Sequence, residues 1–139
     1  MVTRKLRRWR DRGAAAVEFA LVVPVLIVLI FGSIEFGLAV QARTMIGNAA
    51  REGVRVASLG GSVADVQASA LNALGPVSGT KTVTFTCTTS GASSCDPQAP
   101  GKNSVATVVV TVNYTGITGM FPQLTNTTLT ASSYMRIEN

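Results

Sequence analysis

From Phe19 to Ile34 the chain runs sixteen residues without a charge, and the wider stretch from Ala14 to Val40 is interrupted only by Glu18 and Glu35. At the rise of an α-helix the wider stretch would be about 40 Å long and the uncharged part about 24 Å, which brackets a hydrocarbon core of roughly 30 Å. The pattern predicts one membrane-crossing helix. Pro24 lies in its first half, where it removes one backbone donor and favours a kink. Past Val40 the stretch LAVQARTMIGNAAREGVRVASL keeps apolar residues at Leu38, Ala42, Met45, Ile46, Ala49 and Ala50 with polar residues between them. That is a helical stripe. The helix therefore continues outside the membrane until Gly60-Gly61 ends it, and from Ala14 to Leu59 it would measure roughly 69 Å. Gly32, Gly37, Gly47 and Gly53 each weaken such a helix by up to about 1 kcal/mol relative to alanine. Close packing of other helices against them is one explanation, simple flexibility another, and at Gly47 and Gly53 both stand. Ser33 and Gly37 form a small-xxx-small pair of the kind found at helix contacts in membranes.

The pattern then changes. Ser62 and Asp65 form a capping box, Val63, Val66, Ala70, Leu71 and Leu74 follow at helical spacing, and Gly75-Pro76 stops the helix. Beyond it the period falls to two. Val83, Phe85 and Cys87 alternate with threonines, Val108, Val110, Val112 and Tyr114 alternate with polar or smaller residues, and Leu129, Ala131, Met135 and Ile137 share one parity. The expected fold is α+β: a long N-terminal transmembrane helix that continues outside, then a small domain with a short helix and an antiparallel sheet of about three strands. The expected organisation is a basic leader at 1–13, a transmembrane helix at 14–40, its outer continuation at 41–59, and the small extracytoplasmic domain at 62–139. A region of that size has a thin core.

Charge fixes the topology. Arg4, Lys5, Arg7, Arg8, Arg10 and Arg12 against Asp11 give the first thirteen residues a net charge of +5, equal to that of the whole chain. Everything after Gly13 balances, with Arg43, Arg51, Arg55, Lys81, Lys102 and Arg136 set against Glu18, Glu35, Glu52, Asp65, Asp96 and Glu138. A basic run directly ahead of an apolar helix means retention on the cytoplasmic side rather than nucleic-acid binding, and it places the residues beyond Val40 outside. A secretory signal with cleavage after Ala42 is a competing reading, as is a twin-arginine signal at Arg7-Arg8. The apolar region is longer than a signal peptide requires and holds two glutamates, which favours a retained helix.

Glu18 is the unusual residue. A carboxylate at the centre of a membrane helix costs on the order of 2.5 to 3.5 kcal/mol and less near the end, so it calls for a positive partner, protonation or a place in the head-group layer. Glu35 marks the outer interface or pairs with Arg43.

The succession GAAAVEFALVVPVLIVLIFGSIEFG followed by ARTMIGNAAREGVRVAS resembles the TadE-like family, the minor pseudopilins of tight-adherence (Tad or Flp) pilus systems. The resemblance covers Arg12 to about Ser58. It rests on Gly13 followed by Glu18 and Phe19, on Pro24, on the EFG at Glu35 to Gly37, and on AAREGVR at Ala49 to Arg55; Phe19 stands where many such proteins have tyrosine. What the resemblance implies is a processing site between Gly13 and Ala14, cut on the cytoplasmic face by a prepilin peptidase. The mature chain would begin at Ala14 with a new α-amino group, and Glu18, its fifth residue, would meet the amino terminus of a neighbouring subunit during pilus assembly. The implied partners are the peptidase, other pilin or pseudopilin subunits, pilus assembly membrane proteins and the lipid bilayer; the implied place is the cytoplasmic membrane, with entry into an adhesive pilus as a further possibility of the class.

Cys87 and Cys95 are the two cysteines, both on the side expected to be extracytoplasmic. A bond between them would close a nine-residue loop and contribute about 2.6 kcal/mol by chain entropy. With no histidine and two thiols, a metal site has poor support and no cofactor is expected. Catalysis finds no nucleophile elbow, phosphate loop or carboxylate pair to stand on. The connection GITGMFPQLTN carries Ile117, Met120, Phe121 and Leu124, which either cap a small core or meet a partner. Asn113-Tyr-Thr115 and Asn126-Thr-Thr128 match glycosylation sequons of a kind common by chance. Three readings follow: a processed minor pseudopilin, an unprocessed single-pass envelope protein whose outer domain is a binding module, and a secreted binding module. The first uses Gly13, Glu18 and the helical stripe together.

Overall fold

The computed structural model describes residues 3–89, 98, 103–116 and 127–137, with side chains from residue 13 onward. Its elements are α1 (Thr3–Ser58), α2 (Val63–Leu74), β1 (Gly79–Thr88), β2 (Val105–Tyr114) and β3 (Thr127–Arg136). The chain divides into two compact units, Met1–Phe36 and Gly37–Asn139. This is the α+β arrangement read from the sequence.

The first unit is helix. Its side chains from Gly13 onward are almost all exposed, large apolar ones included: Val17, Leu21, Val22 and Leu29 each leave more than half their surface open. An apolar surface this long and uncovered is unstable in water at roughly 25 cal/mol per Å². Mean hydropathy reaches 2.7 within α1, so the helix is long and apolar enough to cross a membrane, and it fits a single-pass membrane protein. The helix passes through Pro24 without interruption. Glu35 departs from the expectation of an outer-interface marker, since its side chain is only 1% exposed.

In the second unit the outer part of α1 buries Ala42, Ile46, Ala49, Ala50, Val54 and Ala57. Small residues predominate because the helix sits close to its neighbours. A Cβ added at Gly53 would lie 3.1 Å from a Val108 methyl and 3.2 Å from the Ala70 Cβ, which decides that glycine in favour of packing. Gly47 has nothing within 4 Å of such a Cβ, so no contact explains it. The helix ends in a Schellman turn: the Gly60 N–H donates to the Ala57 carbonyl at 3.1 Å and the Gly61 N–H to the Val56 carbonyl at 3.1 Å. Gly60 supplies the required left-handed conformation at φ +81°.

The expected capping box opens α2. Ser62 Oγ accepts from the Asp65 N–H at 3.2 Å, and the Asp65 carboxylate accepts from the Ser62 N–H at 3.1 Å. The buried face of α2 is narrower than the sequence suggested, consisting of Val66, Ala70 and Leu74, while Val63 and Leu71 are exposed. A twelve-residue helix against one sheet flank covers a strip at i, i+4 and i+8 and turns the remaining apolar residues outward. Gly75 caps it with its N–H donating to the Asn72 carbonyl.

The sheet is antiparallel in the order β1-β2-β3. Register places Val83 opposite Val110, Phe85 opposite Val108, Val110 opposite Ala131 and Val112 opposite Leu129. These inward positions form the core with the helices, and Val108, Val110 and Val112 in the central strand are fully buried. Each such valine contributes on the order of 1.5 to 3 kcal/mol by burial. Met135 has the expected parity but is largely exposed, since the core thins toward the end of β3, and Ile137 just beyond closes it. The opposite face presents Thr80, Thr82, Thr84, Thr86 and Thr88 on β1 and Thr128 and Thr130 on β3, all open to solvent. Period two therefore separates a valine face from a threonine face.

Candidate functional site

Gly13, Ala14, Glu18 and Phe19 all lie within α1 in the first unit, and all are exposed. A Cβ at Gly13 would meet nothing within 4 Å, so folding alone does not require glycine there. Phe19 leaves 71% of its surface open. Ala14 and Glu18 are four residues apart, which puts them one turn apart on one helix face. The Glu18 carboxylate therefore stands within a turn of the Ala14 backbone nitrogen, at the start of the uncharged run that begins at Phe19.

The structure does not bring the remaining candidates together with this segment. Cys87 is buried at the inward side of β1 in the second unit, and Cys95 lies outside the described residues. The apolar connection Ile117 to Leu124 and the Asn126 sequon also lie outside them, whereas Asn113 is an exposed residue of β2.

Two described carboxylates of the second unit are committed to local structure. Glu52 accepts from Arg55 Nε at 3.0 Å and from its terminal nitrogen at 2.7 Å, and this hydrogen-bonded ion pair holds the Glu52 carboxyl below the ordinary range. Asp65 is likewise held low, first by the Ser62 hydroxyl at 2.7 Å and then by the Ser62 backbone N–H. Asp65 is exposed and Glu52 half-buried, and neither lines either of the two concavities beside α1. Among the described residues no cluster of three histidine, cysteine or acidic side chains exists that could hold a metal ion.

Two concavities flank the outer part of α1. One of about 180 Å³ is lined by Leu38, Gln41, Ala42, Met45, Pro76, Val77, Ser78 and Tyr114. The other, of about 420 Å³, lies between Arg43 and Ile46 on α1 and Thr127 to Thr130 on β3. Neither described lining places a nucleophile beside a base. Sequence reasoning missed the enclosure of Glu35.

Residues 13–55 match the model of the family described as TadE-like protein. The match begins at Gly13 and ends at Arg55, bearing out the resemblance drawn from the sequence. No curated protein and no solved structure matches the chain.

Proposed function

We propose that this chain is a minor pseudopilin, processed between Gly13 and Ala14 by a prepilin peptidase and contributing to assembly of a tight-adherence pilus. The observation that carries the reading is the family match over residues 13–55, which starts at the glycine and takes in Glu18, Phe19 and the whole apolar span. On this reading the basic leader stays in the cytoplasm, α1 crosses the cytoplasmic membrane, and the second unit lies outside.

Each singled-out residue then has a task. Gly13, with open space around its α-carbon, gives the peptidase a residue without a side chain before the scissile bond. Cleavage creates an ammonium at Ala14. Glu18, one turn away, offers it a counter-charge, either within the chain or from a neighbouring subunit, and pairing offsets the cost of holding a carboxylate in lipid. Phe19 and the exposed apolar residues after it face lipid before assembly and other helices after it. Cys87, already inward-facing, bonds with Cys95 once outside the cytoplasm and ties the connection after β1 to the core.

Intact mass and N-terminal sequencing of the protein from its host membranes test the reading. The expected chain starts at Ala14, and Gly13→Phe leaves a start at Met1. An Ala14 start that persists in a host lacking its prepilin peptidase would exclude this enzyme. A native chain starting at Met1 would instead make it a fixed envelope anchor. For the cysteines, iodoacetamide should label neither until a reductant is added.

A further inference from the structure

We propose that the groove between α1 and the start of β3 binds the phosphate of an anionic phospholipid head group in the outer leaflet. The inference rests on the reading that α1 crosses the membrane. Arg43 and Ile46 form one wall and Thr127 to Thr130 the other, around about 420 Å³.

Depth selects lipid. Arg43 comes three residues after Val40, the last residue of the apolar span, and so stands about 4.5 Å further along the helix. A head-group layer occupies roughly 5 to 7 Å beyond the hydrocarbon on each side, and with the hydrocarbon ending between Ile34 and Val40 the guanidinium stands about 4.5 to 13.5 Å past it, a range that includes the phosphate level. Charge selects an anion. Among the described residues Arg43 makes no hydrogen bond or salt bridge, in contrast to Arg55, whose guanidinium is taken by Glu52 at 2.7 Å. The described groove lining holds no carboxylate, and Thr128 and Thr130 turn their hydroxyls to the opposite face of the sheet, where they bond Asn113 and Thr111, so Arg43 is the charged group among the described lining residues. A guanidinium presents a planar fork of donors that matches a phosphate in two-point contact.

The architecture explains why a groove exists here. Helix α2 packs on β1, and β3 is the opposite edge of the sheet. Leu129 and Ala131 are accordingly half-buried where Val110 and Val112 are fully buried. A second copy of the chain is a poorer occupant than lipid. The described carboxylates of this unit that face solvent, Glu52 and Asp65, are already held by Arg55 and Ser62.

The test places the full chain in nanodiscs of phosphatidylcholine with a minor fraction of phosphatidylglycerol carrying a diazirine in its head group. After irradiation, labelled peptides are mapped by mass spectrometry. The expected result is labelling at Arg43 and Thr127 to Thr130, reduced about fivefold by Arg43→Gln, only partly restored by Arg43→Lys, which keeps the charge but not the fork, and unchanged by Arg51→Gln. Equal labelling from a phosphatidylcholine head-group probe, or labelling indifferent to Arg43→Gln, overturns the proposal. Loss of labelling in excess inorganic phosphate would make the groove a free-phosphate site, and protein–protein adducts at these residues would make it a subunit contact; either result overturns lipid as the occupant. A parallel probe with the diazirine in the acyl chain reports on the span. If it labels Phe19 to Ile34 while the groove stays unlabelled, the head-group inference alone fails; if it labels neither, the membrane-spanning reading fails with it.

Discussion

The same helix is built by opposite rules in its two units. Up to Phe36 it carries large apolar side chains, Val, Leu, Ile and Phe, and leaves them uncovered. From Ala42 to Ala57 it carries mostly alanine on its inner stripe and buries it completely. Large exposed groups suit a solvent that is itself hydrocarbon, where contact area is favourable and shape is immaterial. Small buried groups suit a solid neighbour, where backbone approach matters and each methyl has an assigned space. One sequence therefore encodes two solvents.

The sharpest test of this contrast applies one truncation to both regions. Leu74→Ala, at a fully buried position of α2, should cost about 2 to 5 kcal/mol in a thermal melt of the detergent-solubilised chain. Leu26→Ala, in the exposed span, should leave that melt unchanged. Comparable losses would mean that the span is packed against protein rather than lipid.

A pair of glycines gives a smaller and signed effect. Gly53→Ala forces a methyl to 3.1 Å from Val108 and should destabilise by about 1 to 3 kcal/mol despite a better helix propensity. Gly47→Ala meets nothing within 4 Å and should stabilise by up to about 1 kcal/mol. Chemical denaturation of both variants decides whether helix approach or chain stiffness sets the outer region.

Smaller again is the cap of α2. Ser62→Ala should cost about 1 kcal/mol. It should also flatten the acid limb of the stability profile. The Asp65 carboxyl is held below its ordinary value by Ser62, so its contribution is present above the unfolded pKa and fades as pH falls through the folded one. Stability measured from neutral pH down into the acid range should therefore fall less steeply in the variant than in the parent. At the bottom of the scale, Arg55→Ala should leave the melting temperature where it is, since the Glu52 partner is a solvent-exposed neighbour on the same helix turn.

Much of the outer unit was legible because its signals are local. Ser62 and Asp65 specify a cap whatever surrounds them, and alternation assigns Val108, Val110 and Val112 to one face before any partner strand is known. The misreadings concern tertiary geometry. Val63 and Leu71 have helical spacing, yet how wide a strip of α2 is covered depends on where α2 sits over β1. Gly47 and Gly53 look alike in the sequence, and only the Val108 methyl distinguishes them. Glu35 reads as a boundary residue until its burial is seen, and the groove at Arg43 joins residues more than eighty positions apart, which no local pattern brings together. The proposed processing segment is the reverse case: Gly13, Ala14 and Glu18 are meaningful as a motif, while the structure shows them no tertiary partner among the described residues.

The alanine stripe also has a schedule. Ala49, Gly53 and Val54 leave the ribosome some fifty residues ahead of Val108, against which Gly53 rests. At about 5 to 20 residues per second this part of the helix waits several seconds for its cover. A stripe of leucines would spend that interval as an adhesive surface on a nascent chain, whereas methyl groups of alanine offer little to wrong partners. Close packing in the finished protein and restraint during its synthesis are thus met by the same choice of residue.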